Sequence, residues 1–182
     1  IDKYFKPILT NIKLTIGGTK SNFQNIVNNS DLRTVINSSF NYGFELRSSF
    51  KDFLNFNIGS KWEYNEVNTI FKNSYNENNS FIDLYFILNK KINFQLETER
   101  YYNSNLDKKN NKYYFMDLEL NYVPNKNKLS FSILANNLFN TKTFKNYLVD
   151  DVSISKTEYR LLPRYILLKI DFRFWNLIKF VN

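Results

Sequence analysis

The segments Leu129-Ser-Phe-Ser-Ile-Leu-Ala-Asn-Asn-Leu-Phe-Asn140 and Leu162-Pro-Arg-Tyr-Ile-Leu-Leu-Lys-Ile-Asp-Phe-Arg-Phe174 bracket a polar stretch of about twenty residues, well beyond the usual loop length. Both segments alternate apolar and polar side chains, the period of an extended strand. Together they predict two antiparallel strands joined by a long loop, the second ending in Phe-x-Phe. The reading of the whole chain turns on whether the preceding residues repeat this plan.

They do. Ile12, Leu14 and Ile16 alternate with Asn11, Lys13 and Thr15 in a first strand over Ile8–Ile16. From Arg33 to Phe50, Ile36, Phe40, Tyr42, Phe44 and Leu46 share one face, with Asn37, Ser39, Asn41, Glu45 and Arg47 on the other. Leu54, Phe56, Ile58, Trp62 and Tyr64 alternate with Asn55, Asn57, Gly59, Lys61 and Glu63. Further strands carry Ile82 to Leu88, Ile92 to Glu99 and Tyr114 to Tyr122, giving eight in all. Short links at 51–52, 89–91 and 124–128 alternate with polar stretches at 17–32, 65–80, 103–112 and 140–162, which read as long loops.

Composition sharpens the class. Aromatic residues make up 18% of the chain, yet its mean hydropathy is negative. A sheet with one face toward lipid and the other toward water needs that combination. No apolar run approaches the roughly 18 residues of a transmembrane helix, whereas strands of about ten tilted residues suffice to cross. Alternating short turns and long loops, a polar face and an apolar face predict an all-β fold, an antiparallel transmembrane β-barrel with about eight strands here. Tyr42, Trp62, Tyr64, Tyr114 and Tyr122 are the candidate aromatics of its membrane interfaces. Closure is required because open sheet edges cannot face hydrocarbon. A soluble β-sandwich also alternates, but buries its apolar face under a second sheet and uses shorter, more even connections.

The chain has neither Cys nor His. That removes disulfides, thiolate chemistry, His-dependent hydrolysis and the commonest transition-metal ligand. The formal charge of +8 is scattered, with Lys90-Lys91 and Lys108-Lys109 in turns and loops, so turns and anionic headgroups account for it without nucleic acid. The start, Ile1-Asp-Lys-Tyr-Phe-Lys-Pro7, has no signal-peptide pattern, and a barrel precursor needs an export signal upstream.

Leu134-Ala-Asn-Asn-Leu-Phe-Asn-Thr-Lys-Thr-Phe144 with Tyr159-Arg-Leu-Leu-Pro-Arg-Tyr-Ile-Leu-Leu-Lys-Ile-Asp-Phe-Arg-Phe174 resembles the C-terminal end of TonB-dependent outer-membrane receptors, most of all those of Bacteroidetes. In that family an N-L-F-N segment sits on the penultimate strand and P-R-x-x-x-L leads into the last. The resemblance implies that residues 1–182 are the C-terminal part of a larger barrel of about twenty-two strands with a plug domain in its lumen. It implies TonB-dependent uptake of a small nutrient ligand (an iron chelate, cobalamin or a glycan), the TonB complex and outer-membrane lipid as partners, and the cell outer membrane of a Gram-negative bacterium as location. Plug and signal peptide are absent from these residues. Trp175 to Asn182 extend past Phe174, where the family usually stops, so Phe180 competes with Phe174 for the terminal aromatic role. A complete small eight-stranded barrel with a structural or adhesive role and a soluble secreted all-β binding module are the alternatives. Pairing of first and last strands marks the complete barrel, open edges the larger one.

No enzyme activity, catalytic residue, cofactor or metal is expected, no nucleic-acid partner either, and the substrate-binding residues are unknown. Glu97 with Glu99 and Asp117 with Glu119 place four carboxylates on one face of adjacent strands. They read as wet interior charges paired with Lys61, Arg47 or Arg173 or facing a plug, in preference to a cation or acid–base site. Asp150-Asp151 reads as solvated loop charge in preference to a weak calcium site.

Overall fold

The computed structural model describes residues 1–28, 31–48, 53–125 and 129–172. Short β1 (Asp2–Phe5) and one turn of 3-10 helix (Lys6–Ile8) precede β2 (Thr10–Asn25). There follow β3 (Arg33–Ser48), β4 (Leu54–Asn68), β5 (Lys72–Ile87), β6 (Ile92–Asn103), β7 (Lys112–Asn125) and β8 (Leu129–Asn136). A hairpin of β9 (Thr143–Val149) and β10 (Ile154–Arg160) separates these from β11 (Tyr165–Phe172). Nine strands form one antiparallel sheet in the order β1-β2-β3-β4-β5-β6-β7-β8-β11, and the hairpin is a sheet of its own. The eight expected strands correspond to β2–β8 and β11. The sheet does not close: β2 and β11 do not pair.

Register keeps the alternation coherent across the sheet. Leu46 stands opposite Ile58 and Ile58 opposite Ile82. Leu84, Leu96, Leu118, Ala135 and Ile166 form a second row across β5–β8 and β11. Residues directly opposite share a face, so the apolar sets of eight strands merge into one surface. That surface stays uncovered: Ile16, Ile82, Ile133, Leu168 and Ile170 are all exposed. The small core lies on the polar side instead, where Val35, Val67 and Val149 meet Tyr75 and Tyr147.

Three expected loops are largely strand: 140–162 holds the β9–β10 hairpin, and 17–32 and 65–80 extend the main sheet. Residues 17–25 of β2 pair with 33–41 of β3, and Asn65–Asn68 pair with Lys72–Tyr75. Apolar side chains are isolated there (Phe23, Val67, Tyr75), so no period-two signal marks them, but ladder hydrogen bonds need no apolar side chain. Only residues 69–71 link β4 to β5, with the Thr69 N–H donating to the Phe71 carbonyl at 2.9 Å. The expected 103–112 loop shortens to 104–111. The 89–91 turn forms as expected, Asn89 Oδ1 accepting from the N–H groups of Lys91 and Ile92. The turn at 51–52, residues 126–128 of the 124–128 turn, and Arg173, Phe174 and Phe180 with the rest of 175–182 lie outside the described residues. At the start, β1 folds back on β2, Asp2 opposite Lys13, where a single strand from Ile8 was expected. Leu9 turns the chain at φ 46°. Between Tyr122 and Asn125 the β7–β8 ladder carries a bulge beside Pro124, which has no N–H to donate.

The N-L-F-N segment is not strand. β8 stops at Asn136, and Asn137 and Asn140 take φ values of 52° and 54°, which Asn tolerates better than most residues. Asn137 then staples the loop: Nδ2 donates to the Thr141 carbonyl (2.9 Å) and the Leu162 carbonyl (2.8 Å), while Oδ1 accepts from the Thr141 N–H (2.9 Å). One side chain thus ties the departure of the hairpin to its return. Asn137→Ala should destabilise the refolded chain by about 2–4 kcal/mol in urea titrations, from lost hydrogen bonds and left-handed backbone strain. Asn137→Gly should recover about 1 kcal/mol of that, since it removes only the strain.

Candidate functional site

The hairpin β9–β10 lies over the polar face of the sheet and is held at three places. Near its base, Phe144 enters a ring cluster, with centroids 5.5 Å from Tyr101, 5.0 Å from Tyr113 and 6.3 Å from Phe115. The first two contacts are edge-to-face, the geometry favoured by aromatic quadrupoles. Further along, Val149 joins Val35 and Val67 in the small core. At its tip, Asp151 meets β2 and β3: Arg33 Nη2 lies 3.2 Å from Oδ2, and Asn25 Nδ2 donates to the same oxygen. Arg33 also donates to the Asp151 carbonyl at 2.9 Å and to Asn25 Oδ1 at 2.8 Å. The hairpin therefore reaches from β6–β7 to the ends of β2 and β3.

Asp151 is thus a latch, and neither a solvated loop charge nor an open cation ligand. Its side chain is only 13% exposed. Hydrogen bonding with the Asp150 carboxyl, then donation from Asn25 and the positive charge of Arg33, hold the Asp151 carboxyl below the ordinary aspartate value of 3.8, against partial desolvation.

Between hairpin and sheet is a cavity of about 710 Å³, within the size range of small-molecule sites. Lys13 and Thr15 come from β2, Asn41 and Glu45 from β3, Lys61 and Glu63 from β4, and Glu77 and Asn79 from β5. Tyr101, Asn103 and Tyr113 close one end, with Phe144, Lys145 and Asn146 of β9 opposite. Most charges here are already engaged. Glu77 accepts from Asn103 at 2.7 Å and Glu63 from Asn65 at 2.8 Å; Lys145 pairs with Glu158 at 3.3 Å, and Glu45 with Arg47. Gly43 also borders the cavity, and its missing side chain spares a contact of 3.0 Å with the Ser60 carbonyl.

The four carboxylates singled out from the sequence share the polar face but do not form a site. Glu97 stands between Asp83 and Asp117 in register, yet each is used locally. Glu97 accepts from Gln95, Glu99 from the Tyr101 hydroxyl, Asp83 from Asn57 and Asp117 from the Asn137 N–H; the fourth, Glu119, stands opposite Gln95 and Leu134. No cluster of three acids that could hold a metal ion occurs among the described residues. Their expected basic partners are elsewhere: Arg47 pairs with Glu45, and Lys61 lies over the Phe81 ring.

The five interface aromatics all fall on the apolar face. Tyr42 stacks on Trp62 at 5.1 Å, and Tyr122 on Phe131 at 6.3 Å. Within the apolar face, between Ile58 and Trp62 on β4, Arg100, Asn78, Ser60 and Ser80 form a hydrogen-bonded polar group. The cleft residues escaped the sequence reading because their alternation marks only a polar face. Nothing in the sequence announces that a loop hairpin returns to roof it. Searches against protein-family models, curated proteins and solved structures found no match to this chain.

The latch has a pH sign. A depressed carboxylate pKa contributes stability present above 3.8 and lost as pH falls through 3.8 toward the lowered value. Acidification through that window should speed amide hydrogen exchange in β9 and β10, corrected for the intrinsic rate at each pH, relative to exchange in the rest of the sheet. Asp151→Asn should open the hairpin already at neutral pH and flatten the profile, since hydrogen bonds to charged groups contribute about 1.5–3 kcal/mol.

Proposed function

We propose that this chain is a wall segment of an outer-membrane β-barrel receptor that takes up a small nutrient by the TonB-dependent route. The observation that carries the reading is the inverted sheet: apolar side chains of eight adjacent strands lie on the uncovered face, while polar side chains line the face that the hairpin roofs. Water-soluble sheets bury that apolar face; lipid-facing sheets display it.

Dimensions support the same reading. On β4 the outward residues Leu54 to Tyr64 span about 33 Å along the strand. At a tilt near 45° that gives about 23 Å of height, against an apolar band of about 25 Å in outer-membrane barrels. The strands continue beyond the belt on the side away from the 89–91 turn, in keeping with short periplasmic turns and long outer extensions. Among the described residues the outer edges of β11 and of most of β2 have no partner strand, which favours a larger barrel over a complete eight-stranded one. A hairpin folded over the polar side favours a lumen that handles a ligand over a purely structural anchor. The C-terminal sequence resemblance supplies the TonB-dependent class, with an iron chelate, cobalamin or glycan as cargo.

Membrane insertion is tested with Trp62. In a Trp175→Phe chain, Trp62 is the remaining tryptophan, and its fluorescence should be quenched by lipids brominated near the headgroups after refolding into vesicles. An unquenched tryptophan on a chain soluble without detergent would sink the reading. A second measurement uses Leu96, in the middle of the belt. Leu96→Arg should cost about 2–4 kcal/mol of folding free energy in vesicles, whereas on an exposed face in water the change should stay within about 0.5 kcal/mol.

A further inference from the structure

We propose that Arg100 and Lys112 form a binding site for the phosphomonoester headgroup of an outer-leaflet lipid, set into the lipid-facing side of the sheet. The site rests on the membrane reading above and gives a specific partner to a part of the wall that uptake does not use.

Charge is placed unevenly on the apolar side. Across β2–β8 and β11, the charged residues that share that face in register are Lys20, Glu66, Lys72, Arg100 and Lys112. All five stand toward the strand ends away from the 89–91 turn, the end that faces outside in the membrane reading. Four cations thus share that end with one carboxylate, and the carboxylate is taken. Glu66 lies 3.1 Å from Lys72 Nζ and accepts from the Tyr64 hydroxyl. Arg100 and Lys112 have no carboxylate within ion-pair distance among the described residues.

The guanidinium is held in place by a buried group. Arg100 Nη1 donates to Asn78 Oδ1 at 2.9 Å. Asn78 is only 7% exposed, and its Nδ2 donates to Ser60 Oγ and to the Lys61 carbonyl, each at 2.9 Å. A pinned amide therefore aims the guanidinium while using one of its five N–H donors. Lys112 lies on the diagonal: Arg100 stands opposite Tyr114, and Lys112 is two residues away on the same strand as Tyr114. Long side chains meet across such a diagonal. Exposed Tyr114 beside the pair, and Trp62 opposite Asn78, put it at the height of the interface aromatics.

An unpaired guanidinium aimed at hydrocarbon is costly at the midplane and tolerated near the headgroups, where an anion can meet it. A choline or ethanolamine headgroup would bring a further cation beside Arg100 and Lys112. A phosphomonoester brings nearly two negative charges and three strong acceptor oxygens. The planar fork of Arg100 matches two of those oxygens, and Lys112 adds a point charge.

The test uses the whole chain carrying Trp175→Phe, refolded into phosphatidylcholine vesicles that hold a minor component brominated near the headgroup. That component is phosphatidic acid, phosphatidylglycerol or phosphatidylcholine, and Trp62 fluorescence is the readout. Brominated phosphatidic acid should quench as though enriched at least about threefold over phosphatidylcholine, and phosphatidylglycerol by less. Arg100→Gln with Lys112→Gln should abolish the enrichment. Lys90→Gln with Lys91→Gln, the same loss of charge at the opposite end, should preserve it. Lys112→Gln alone, at an exposed position, should lower it at least about twofold and decides the matter if the double variant does not insert. Equal quenching by all three lipids overturns the site, as does enrichment that survives loss of Arg100 and Lys112 or falls equally with Lys90 and Lys91. Enrichment removed by millimolar inorganic phosphate, but kept in chloride of matched ionic strength, marks a free-anion site and overturns the lipid assignment. Quenching by brominated phosphatidylcholine reports insertion separately. An inserted chain without enrichment refutes the site and leaves the membrane reading standing, whereas a chain that no brominated lipid quenches refutes both.

Discussion

An uninterrupted antiparallel ladder holds β2 through β8 and β11 in one register, and the other features of the molecule follow from it. Because opposite residues share a face, the ladder converts eight local alternations into two continuous surfaces. Backbone hydrogen bonds carry the strands even where apolar side chains are isolated, as in the second half of β2. Side-chain burial contributes little by comparison, for Val35 is the only fully buried large side chain among the described residues. Such a sheet needs a surrounding medium to make its apolar side favourable, and hydrocarbon is one that does so.

The polar side is organised differently. There the chain spends its specific contacts: ring packing around Phe144, the valine cluster, and the Arg33–Asp151 ion pair. These contacts fix a hairpin across the sheet instead of letting it extend into water. They leave the middle of the roofed space unfilled, so a loop held at three places also bounds a polar hollow of about 710 Å³. A loop held at its base by packing and at its tip by an ion pair has two separable points of release. The tip responds to charge and the base does not.

Period-two patterning made the belt readable from sequence, as in Leu54–Tyr64, where each alternate residue faces the apolar side. It failed where apolar residues were isolated. Residues 17–25 and 72–80 are strand by pairing alone, and their Asn and Ser content reads as loop. The hairpin at 143–160 was hidden for a related reason: Thr143-Phe-Lys-Asn-Tyr-Leu-Val149 is too short and mixed to stand out, and it is stabilised by distant residues such as Tyr113 and Val35. The motif around Asn137 was visible as a pattern, but its physical content, a left-handed residue whose amide bridges two segments, needed coordinates. The carboxylates drew attention because charge is conspicuous, whereas the cleft is built mostly from amides and rings that sequence alone spreads over seven strands.

The bulge beside Pro124 has a meaning larger than its size. In a bulge-free ladder of the same residues, the pairing of Asn125 with Leu129 would continue as Phe131 opposite Val123 and Ile133 opposite Asn121. With the bulge, Phe131 meets Tyr122 and Ile133 meets Leu120. One inserted residue therefore acts as a phase corrector, resetting parity just before the last two strands of the sheet. Deleting one residue of the bulge would keep both flanking pairs in an unbroken ladder, whereas a bulge-free ladder of the full sequence would rotate β8, and β11 with it, half a turn about its axis. Ser130, Ser132 and Lys169 would then lie on the apolar side, and Phe131, Ile133, Leu168 and Ile170 on the polar side.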